Sequence, residues 1–298
     1  MTHVWRFGYG SNIGLRTLKE KKNLNPTRFL VGTITGWELY FMPGIMHVEP
    51  GWAAIRHANA ETELHGSAFL IPNDEADGLD RQEGGYDILP CKFTSYDGEC
   101  ICDVGLYVPK KGKSTSEEGI PSLRYLRLLQ NGAKEGGLSD HWISHLHSFS
   151  HYITPKEVRA QTEQWISEFH ADPERKGDVW TSEKLAKYDG SHRDETDSTK
   201  MIPPHTSVME YVIEIDPKCR VFPSWKGHNI TRRNLLQFNG KSLDTNDIRY
   251  DQTGFRPLPK MCDCSNEEKE YLIQNLETLL HRGSKIVGTF SPFLEDQG

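Results

Sequence analysis

Features that would mark a membrane, secreted or disulfide-stabilised protein are missing from this sequence of 298 residues. No run approaches the roughly eighteen apolar residues that a membrane-spanning helix needs, so we expect no membrane attachment. The first residues lack a basic stretch followed by an apolar one, so we expect no secretory leader and a cytoplasmic location. Six cysteines are too few for a disulfide scaffold in a chain of this length.

An excess of positive charge is also missing, because 35 lysines and arginines stand against 42 aspartates and glutamates, a net charge of −7. This balance argues against binding to nucleic acid or to an anionic membrane surface. Apolar residues make up 36% and aromatic residues 10% of the chain, which is enough to build hydrophobic cores. Since domains usually contain about 100–200 residues, the length favours two domains.

Cysteine and histidine patterns provide two candidate metal sites. Cys-x-Cys pairs occur at residues 100–102 and 262–264, and on a strand both thiols of a pair would share one face. His141 and His145 have the spacing that places two ligands on one face of a helix. Neither pattern has a partner pair at zinc-site spacing, and no His-Glu-x-x-His motif is present. We therefore interpret the cysteines as thiols and the histidines as packing or surface residues, with no metal bound.

Short alternating and aromatic-rich segments predict strands in the N-terminal part of the chain. They lie at residues 4–7, 28–32, 37–41 and 65–71, with a hairpin formed by residues 86–93 and 100–108. Helical spacing of apolar residues predicts helices over residues 121–131, 139–147 and 155–170. A strand-rich part followed by helices predicts an α+β fold, a small mixed β-barrel or sheet with helices packed against it.

Charged residues cluster at 172–178, where we place the domain boundary. The prediction is a first domain of residues 1–172 and a smaller α+β domain of residues 178–298. Within the second domain, the sequence predicts a capped helix beginning at residue 181, a loop over 189–204, a strand over 208–215 and an amphipathic helix over 267–280.

A glycine-rich turn directly follows the first predicted strand. Its glycines do not have the spacing of a dinucleotide-binding fingerprint, and the acidic residue expected about 20 positions further on is absent. Gly8 and Gly10 predict a tight turn with positive φ, and Ser11 and Asn12 follow them. Successive N–H groups in such a turn form a nest for an anion or a developing oxyanion. An ordinary strand-to-helix turn is the alternative.

Two further segments complete a pattern with this turn. A Gln-Glu-Gly segment at residues 82–84 precedes a predicted strand, and a glycine-rich segment at residues 132–138 follows the helix that contains Tyr125. Together with the Tyr-Gly-Ser-Asn turn at residues 9–12, in this order and separation, they resemble the gamma-glutamylcyclotransferase family. The resemblance covers roughly residues 4–150 and implies that family's fold for the first domain.

Members of that family convert a γ-glutamyl compound into 5-oxoproline and a free amine or amino acid, as in glutathione metabolism. The resemblance implies Glu83 as the general acid and base, because the substrate's own α-amine must lose a proton before it attacks the γ-carbonyl carbon. The turn would stabilise the tetrahedral oxyanion through backbone N–H groups. The implied substrate-binding residues are Tyr9, Gly10, Ser11, Asn12, Tyr86 and Tyr125. No metal or other cofactor is needed, and the only implied partner is the small-molecule γ-glutamyl substrate.

Several alternatives stay open at this point. The tyrosines are equally compatible with core rings, and the same fold would also suit a non-catalytic module that binds a γ-glutamyl compound or another small carboxylate. Glu83 beside its glycines favours the enzyme, since binding alone needs no base. The family's substrates include γ-glutamyl amino acids, γ-glutamylamines and larger γ-glutamyl compounds. Loops at residues 43–52 and 110–119 are candidates for the part of the pocket that determines which of these substrates binds.

The C-terminal part carries a second, weaker resemblance. Residues 180–191, Trp-Thr-Ser-Glu-Lys-Leu-Ala-Lys-Tyr-Asp-Gly-Ser, resemble the opening of a cytochrome b5-like domain of the membrane-associated progesterone-receptor type. The resemblance covers about residues 178–290, with residues 212–222 as its strand pair. Phe222 stands where that branch has an axial tyrosine, and a phenylalanine has no oxygen to bind iron. We expect a degenerate domain without haem; an extension of the first domain is the alternative.

Overall fold

The computed structural model describes residues 2–45, 49–111, 117–193, 197, 199–219, 221, 225–239 and 263–291. Phe222 and Cys262 lie outside the described residues, as do parts of the two loops at 43–52 and 110–119. Contacts divide the chain into two compact units, residues 1–152 and residues 153–298. The division precedes the boundary expected at 172–178, so the helix predicted over 155–170 belongs to the second unit. Among the described residues, no helix has both the length and the apolar character needed to span a bilayer.

The described part of the first unit contains seven strands and four helices. In chain order these are β1 (His3–Gly8), α1 (Leu15–Lys22), β2 (Arg28–Thr35), β3 (Trp37–Ile45), β4 (Glu49–His57), β5 (Glu63–Pro72), α2 (Asn73–Gln82), β6 (Tyr86–Ser95), β7 (Cys100–Pro109), α3 (Leu123–Gly136) and α4 (Asp140–Ser148).

Five of these strands close into a barrel in the order β1, β5, β2, β6, β7. β1 pairs parallel with β7, and the other neighbouring pairs are antiparallel. β3 and β4 form a separate antiparallel pair. This mixed barrel with packed helices confirms the predicted α+β fold.

Large apolar side chains that alternate along the strands fill the barrel. Phe7, Phe69 and Phe93 are fully buried, and the rings of Phe7 and Phe93 lie 5.9 Å apart. Leu18 of α1 and Leu129 of α3 are fully buried in the same cluster. Burying a leucine or phenylalanine side chain stabilises a fold by about 1.5–3 kcal/mol, so this cluster fixes the helices against the barrel.

The sequence patterns do not predict α1, β4 or α2. α2 buries only Ala76 and Leu79, so its ten residues show little apolar periodicity. β4 contains Pro50 and Gly51, which interrupt a strand pattern. The omission of α2 matters for function, because Glu83 directly follows it.

The second unit contains shorter elements. Its described helices and strands are α5 (Lys156–His170), α6 (Pro173–Gly177), β8 (Val179–Trp180), α7 (Ser182–Ala186), β9 (His205–Val208), β10 (Tyr211–Glu214), α8 (Thr231–Phe238), α9 (Asn266–Leu280) and β11 (Lys285–Phe290). Four strands form a sheet in the order β8, β11, β10, β9. The predicted helices at residues 181 and 267–280 are confirmed as α7 and α9, which Thr181 and Ser265 cap at their N-termini.

Two predictions for this unit are wrong. The strand expected over 208–215 is interrupted at Met209, whose φ of 54° starts a turn, so β9 and β10 form a hairpin instead. The strand pair expected within 212–222 is absent from the described residues there, since β10 ends at Glu214. Beyond it, the Cys219 N–H donates to the Asp216 carbonyl oxygen (2.8 Å) in a turn. Left-handed φ at a methionine has no sequence signature, which is why the hairpin is not predicted.

A buried carboxylate explains why α5 belongs to the second unit. Glu277 of α9 is fully buried and accepts hydrogen bonds from Arg159 Nε of α5 (2.5 Å) and from Thr154 Oγ1 (2.8 Å). Arg159 also pairs with Glu270, at 2.7 Å. A buried charge is costly without a partner, so α5 and α9 form one structural body.

Candidate active site

A cavity of about 340 Å³ lies in the first unit, beside the turn after β1 and the end of α2. Its wall includes all the residues assigned to the site from the sequence: Tyr9, Gly10, Ser11, Asn12, Glu83, Tyr86 and Tyr125. Lys22, Met42 and Trp52 also line it. Segments far apart in the sequence therefore meet around one cavity of the size that a small molecule occupies.

The turn after β1 depends on close backbone approach, and the expectation of positive φ at its glycines is wrong. Neither Gly8 nor Gly10 has a positive φ. A Cβ on Gly8 would lie 2.3 Å from the carbonyl oxygen of Asn12, so only glycine fits there. The Ile13 N–H donates to the Gly10 carbonyl oxygen (3.0 Å) and closes the turn. That bond does not use the N–H groups of the central residues, Ser11 and Asn12, which leaves them available to an anionic group.

Glu83 occupies the C-terminal cap of α2, where main-chain bonds fix it on both sides. Its N–H donates to the Leu79 carbonyl oxygen (3.0 Å), and its carbonyl oxygen accepts from the Tyr86 N–H (2.9 Å) at the start of β6. Asn12 Nδ2 and Lys22 Nζ each lie 3.2 Å from Glu83 Oε1. The carboxylate therefore contacts both the glycine turn and the end of α1.

The Glu83–Lys22 ion pair is sheltered, since both side chains are only 19% exposed. A helix C-terminus carries partial negative charge, which disfavours a carboxylate at that position. The ammonium of Lys22 offsets this effect and is stabilised at the C-terminal turn of its own helix. Sequence reasoning does not identify Lys22, because the mostly polar segment over α1 does not predict a helix.

Tyr86 and Tyr125 meet at one point of β4. The Tyr86 hydroxyl donates to the Ala53 carbonyl oxygen (3.3 Å), and the Ala53 N–H donates to the Tyr125 hydroxyl oxygen (3.4 Å). Burial, followed by the charge of Glu83, raises the pKa of Tyr86 to about 12. Burial also raises the pKa of Tyr125 well above its usual range. Both hydroxyls therefore keep their protons at neutral pH. The Tyr86 hydroxyl donates to Ala53, whereas the Tyr125 hydroxyl accepts from Ala53 and can donate to a ligand.

Tyr9 belongs to a buried hydrogen-bonded chain. Its hydroxyl donates to the Tyr107 carbonyl oxygen (2.7 Å), and the Tyr107 hydroxyl donates to Asp80 Oδ1 (2.5 Å). Asp80 also binds Arg6 through two hydrogen bonds, of 3.1 and 2.7 Å. Burial raises the pKa of Asp80, but the bonds from Arg6 and Tyr107 outweigh it, so the pKa lies below its usual value. Because the Tyr9 hydroxyl is engaged by the protein, Tyr9 shapes the wall, and its substrate-binding role stays a prediction.

The histidines near α4 lie in an aromatic cluster. His65 stacks on Trp142 with ring centroids 5.0 Å apart, and His145 lies 4.8 Å from Trp142 and 5.0 Å from Phe149. Within the described ranges, no group of three His, Cys, Asp or Glu side chains is arranged to hold a metal ion.

Two curated proteins are similar in sequence to this chain. The gamma-glutamyl cyclotransferase aclK of Aspergillus oryzae is 25% identical over 165 residues, covering 48% of this chain and 60% of the relative. The gamma-glutamyl cyclotransferase gliK of Claviceps purpurea is 28% identical over 127 residues, covering 39% of this chain and 56% of the relative. The chain therefore spans less than two thirds of the length of either relative.

A solved structure described as a gamma-glutamyl cyclotransferase aligns with 55% of this chain and 99% of its own length, with 21% identity and a TM-score of 0.44. No family model matches the chain. The mixed barrel brings a glycine turn and a carboxylate to one cavity, which is the candidate site for a small molecule. The sequence matches to two gamma-glutamyl cyclotransferases confirm the resemblance to that family predicted from residues 9–12 and 82–84. The cytochrome b5-like resemblance of residues 178–290 stays a prediction.

Proposed function

We propose that this chain is a cyclotransferase that converts a γ-glutamyl compound into 5-oxoproline and a free amine or amino acid. The observation that carries the proposal is the 3.2 Å contact between Asn12 Nδ2 and Glu83 Oε1. It means that a proton acceptor and a set of backbone donors border the same cavity. The names of the two curated relatives support the same activity.

The substrate brings its own nucleophile to this reaction. The α-amine attacks the γ-carbonyl carbon, and closing the five-membered lactam breaks the bond to the departing nitrogen. Holding two reacting groups in one geometry lowers a barrier by up to about 7–11 kcal/mol. The protein's first task is therefore to fold the glutamyl chain so that the amine reaches the carbonyl carbon.

Glu83 is the proton carrier in this proposal. An α-ammonium, which is the prevailing form at neutral pH, has no lone pair and must lose a proton before attack. Over the whole reaction the attacking nitrogen loses two protons and the departing nitrogen gains two, so no external acid or base is consumed. One carboxylate can carry these protons in turn, and Glu83 is fixed by its main chain and by Asn12.

The turn stabilises the charge that develops on the γ-carbonyl oxygen. Attack places a negative charge there, and Ser11 and Asn12, whose N–H groups the Ile13–Gly10 bond does not use, line the cavity. One such donor typically lowers the barrier by about 3–4 kcal/mol. The protonated hydroxyls of Tyr86 and Tyr125 lie on the same wall and hold the rest of the glutamyl group.

The test is Glu83→Gln, which preserves shape and removes the base. With a panel of γ-glutamyl amino acids and amines, we expect the wild type to release 5-oxoproline, detected by mass spectrometry. The variant should be about 10²–10⁴-fold slower. Glu61→Gln, an exposed position, is the matched control and should be unchanged. Near-normal release by the Glu83 variant would contradict the assignment; wild-type binding without release would favour the non-catalytic module instead.

A further inference from the structure

Lys22 contributes the only positively charged side chain among the cavity-lining residues that the structure describes. It ends α1, and its Nζ lies 3.2 Å from Glu83 Oε1 and 3.2 Å from Gln82 Oε1. Its side chain is only 19% exposed. The cyclisation chemistry itself requires no lysine, and the contacts with Glu83 and Gln82 use two of the three N–H groups of this ammonium.

The shape of a glutamyl head group matches this ion pair. Standard bond lengths place the amine nitrogen and the nearer carboxylate oxygen of an α-amino acid about 3 Å apart. The carboxylate oxygen of Glu83 and the ammonium nitrogen of Lys22 have nearly the same separation, 3.2 Å. If the α-ammonium binds Glu83, the α-carboxylate attached to the same carbon therefore lies beside Lys22.

We propose that Lys22 is a specificity-determining residue that binds the α-carboxylate of the γ-glutamyl group. The four charges then alternate: the substrate ammonium lies beside the Glu83 carboxylate, and the substrate carboxylate lies beside the Lys22 ammonium. Without Lys22, the carboxylate of Glu83 would repel the α-carboxylate. The inference rests on the proposed function, because it assumes that the amine is delivered to Glu83.

The same arrangement suits the charges that change during the reaction. When the amine passes its proton to Glu83, that side chain becomes neutral while the α-carboxylate keeps its charge. Lys22 then has the substrate carboxylate as its remaining anionic partner in the pair. The anchor is therefore strongest when the free amine turns toward the γ-carbonyl carbon, and it restricts rotation of the glutamyl chain at that moment.

The experiment compares γ-glutamylmethylamide with its analogue in which the α-carboxylate is a carboxamide. Both keep the α-amine and the γ-amide, so they differ only at the group that Lys22 should bind. A hydrogen bond to a charged group corresponds to about 10–150-fold in affinity. We expect the wild type to prefer the free acid by at least about 10-fold in KM, and Lys22→Met to lose this preference with kcat changed little.

Two further variants separate this role from a structural one. Lys22→Arg keeps the charge and should retain most of the preference. Lys19→Met removes one positive charge from an exposed position of the same helix and should behave as the wild type. If Lys22 merely positioned Glu83, Lys22→Met would lower kcat equally for both compounds, and this result would overturn the proposal. γ-Glutamylglycine carries an additional carboxylate on the departing amine. If Lys22→Met raised KM for this compound alone, Lys22 would bind that carboxylate instead, and the proposal would be overturned.

Different results would contradict the proposed role of Lys22 and the proposed cyclotransferase activity. If the wild type releases no 5-oxoproline, the same two compounds are titrated by calorimetry without turnover. A preference for the free acid that disappears in Lys22→Met then supports Lys22 while the cyclotransferase assignment falls. Equal KM for release of 5-oxoproline from the free acid and of 5-oxoprolinamide from the carboxamide would overturn the Lys22 assignment and leave the cyclotransferase activity supported. A wild type that neither turns over nor prefers the free acid overturns both.

Discussion

Replacing Asp80 by asparagine tests whether its ion pair with Arg6 supports the wall of the cavity. The side chains of Arg6 and Asp80 are 14% and 23% exposed. Removing one partner of a buried pair costs about 3–5 kcal/mol, because the other charge stays buried. Both groups keep some contact with water, and asparagine still accepts the bond from the Tyr107 hydroxyl. We therefore expect a loss of about 2–3 kcal/mol at pH 7.

The chain offers a matched control in the same unit. Arg28 and Glu99 also form a two-point pair, of 2.8 and 3.0 Å, but their side chains are 48% and 43% exposed. Exposed pairs contribute at most about 1 kcal/mol, so Glu99→Gln should have a small effect. The free energy of unfolding is measured in urea by fluorescence and circular dichroism. Since the chain has two units, each transition is fitted separately.

The pH dependence of this effect has a definite sign. Folding lowers the pKa of Asp80, so the pair stabilises the protein above about pH 4 and this contribution is lost as pH falls through the folded-state value. The difference between the wild type and Asp80→Asn should therefore narrow in acid. The double variant Arg6→Met/Asp80→Asn should be less destabilised than Asp80→Asn, because no charge is left unpaired. Equal effects of the Asp80 and Glu99 substitutions would refute the reasoning.

Two further predictions concern other parts of the first unit. Gly8→Ala would place a Cβ 2.3 Å from the Asn12 carbonyl oxygen and displace the turn, so we expect about a 100-fold loss of kcat/KM. Gly78→Ala, where the nearest atom is 4.0 Å away, should keep full activity. Burial lowers the pKa of His65, with Glu63 opposing, so stability is lost as pH falls below about 6.5. His65→Asn should reduce this loss of unfolding free energy by up to about 1.4 kcal/mol per pH unit. Urea unfolding at pH 7, 6 and 5 measures it, and an unchanged dependence of the unfolding free energy on pH would contradict the prediction.

The parts of the site that are predictable from sequence are those encoded in short contiguous segments. The Tyr-Gly-Ser-Asn turn and the Gln-Glu-Gly segment are each at most four consecutive residues long, so they can be recognised without knowing the fold. Their placement on one cavity agrees with the resemblance. Lys22 is different, because its contact with Glu83 joins positions 61 apart and depends on a helix that apolar periodicity does not reveal.

The glycines show a second limit of sequence reasoning. Glycine is selected either for positive φ or for the absence of a Cβ, and the letter in the sequence does not distinguish these uses. Gly8 belongs to the second kind, which only the 2.3 Å approach of Asn12 reveals. The wall role of the Tyr9 hydroxyl is hidden in the same way, since its acceptor on Tyr107 lies 98 positions away.

The Glu277 network also determines how the chain can be divided for experiments. A fragment trimmed at the charged cluster of residues 172–178 would discard Thr154 and Arg159 and leave the fully buried carboxylate of Glu277 without its hydrogen-bond donors. Such an orphaned anion typically destabilises a fold by about 3–5 kcal/mol, a large share of the stability of a small domain. Separate production of the C-terminal half should therefore start at residue 153, before α5.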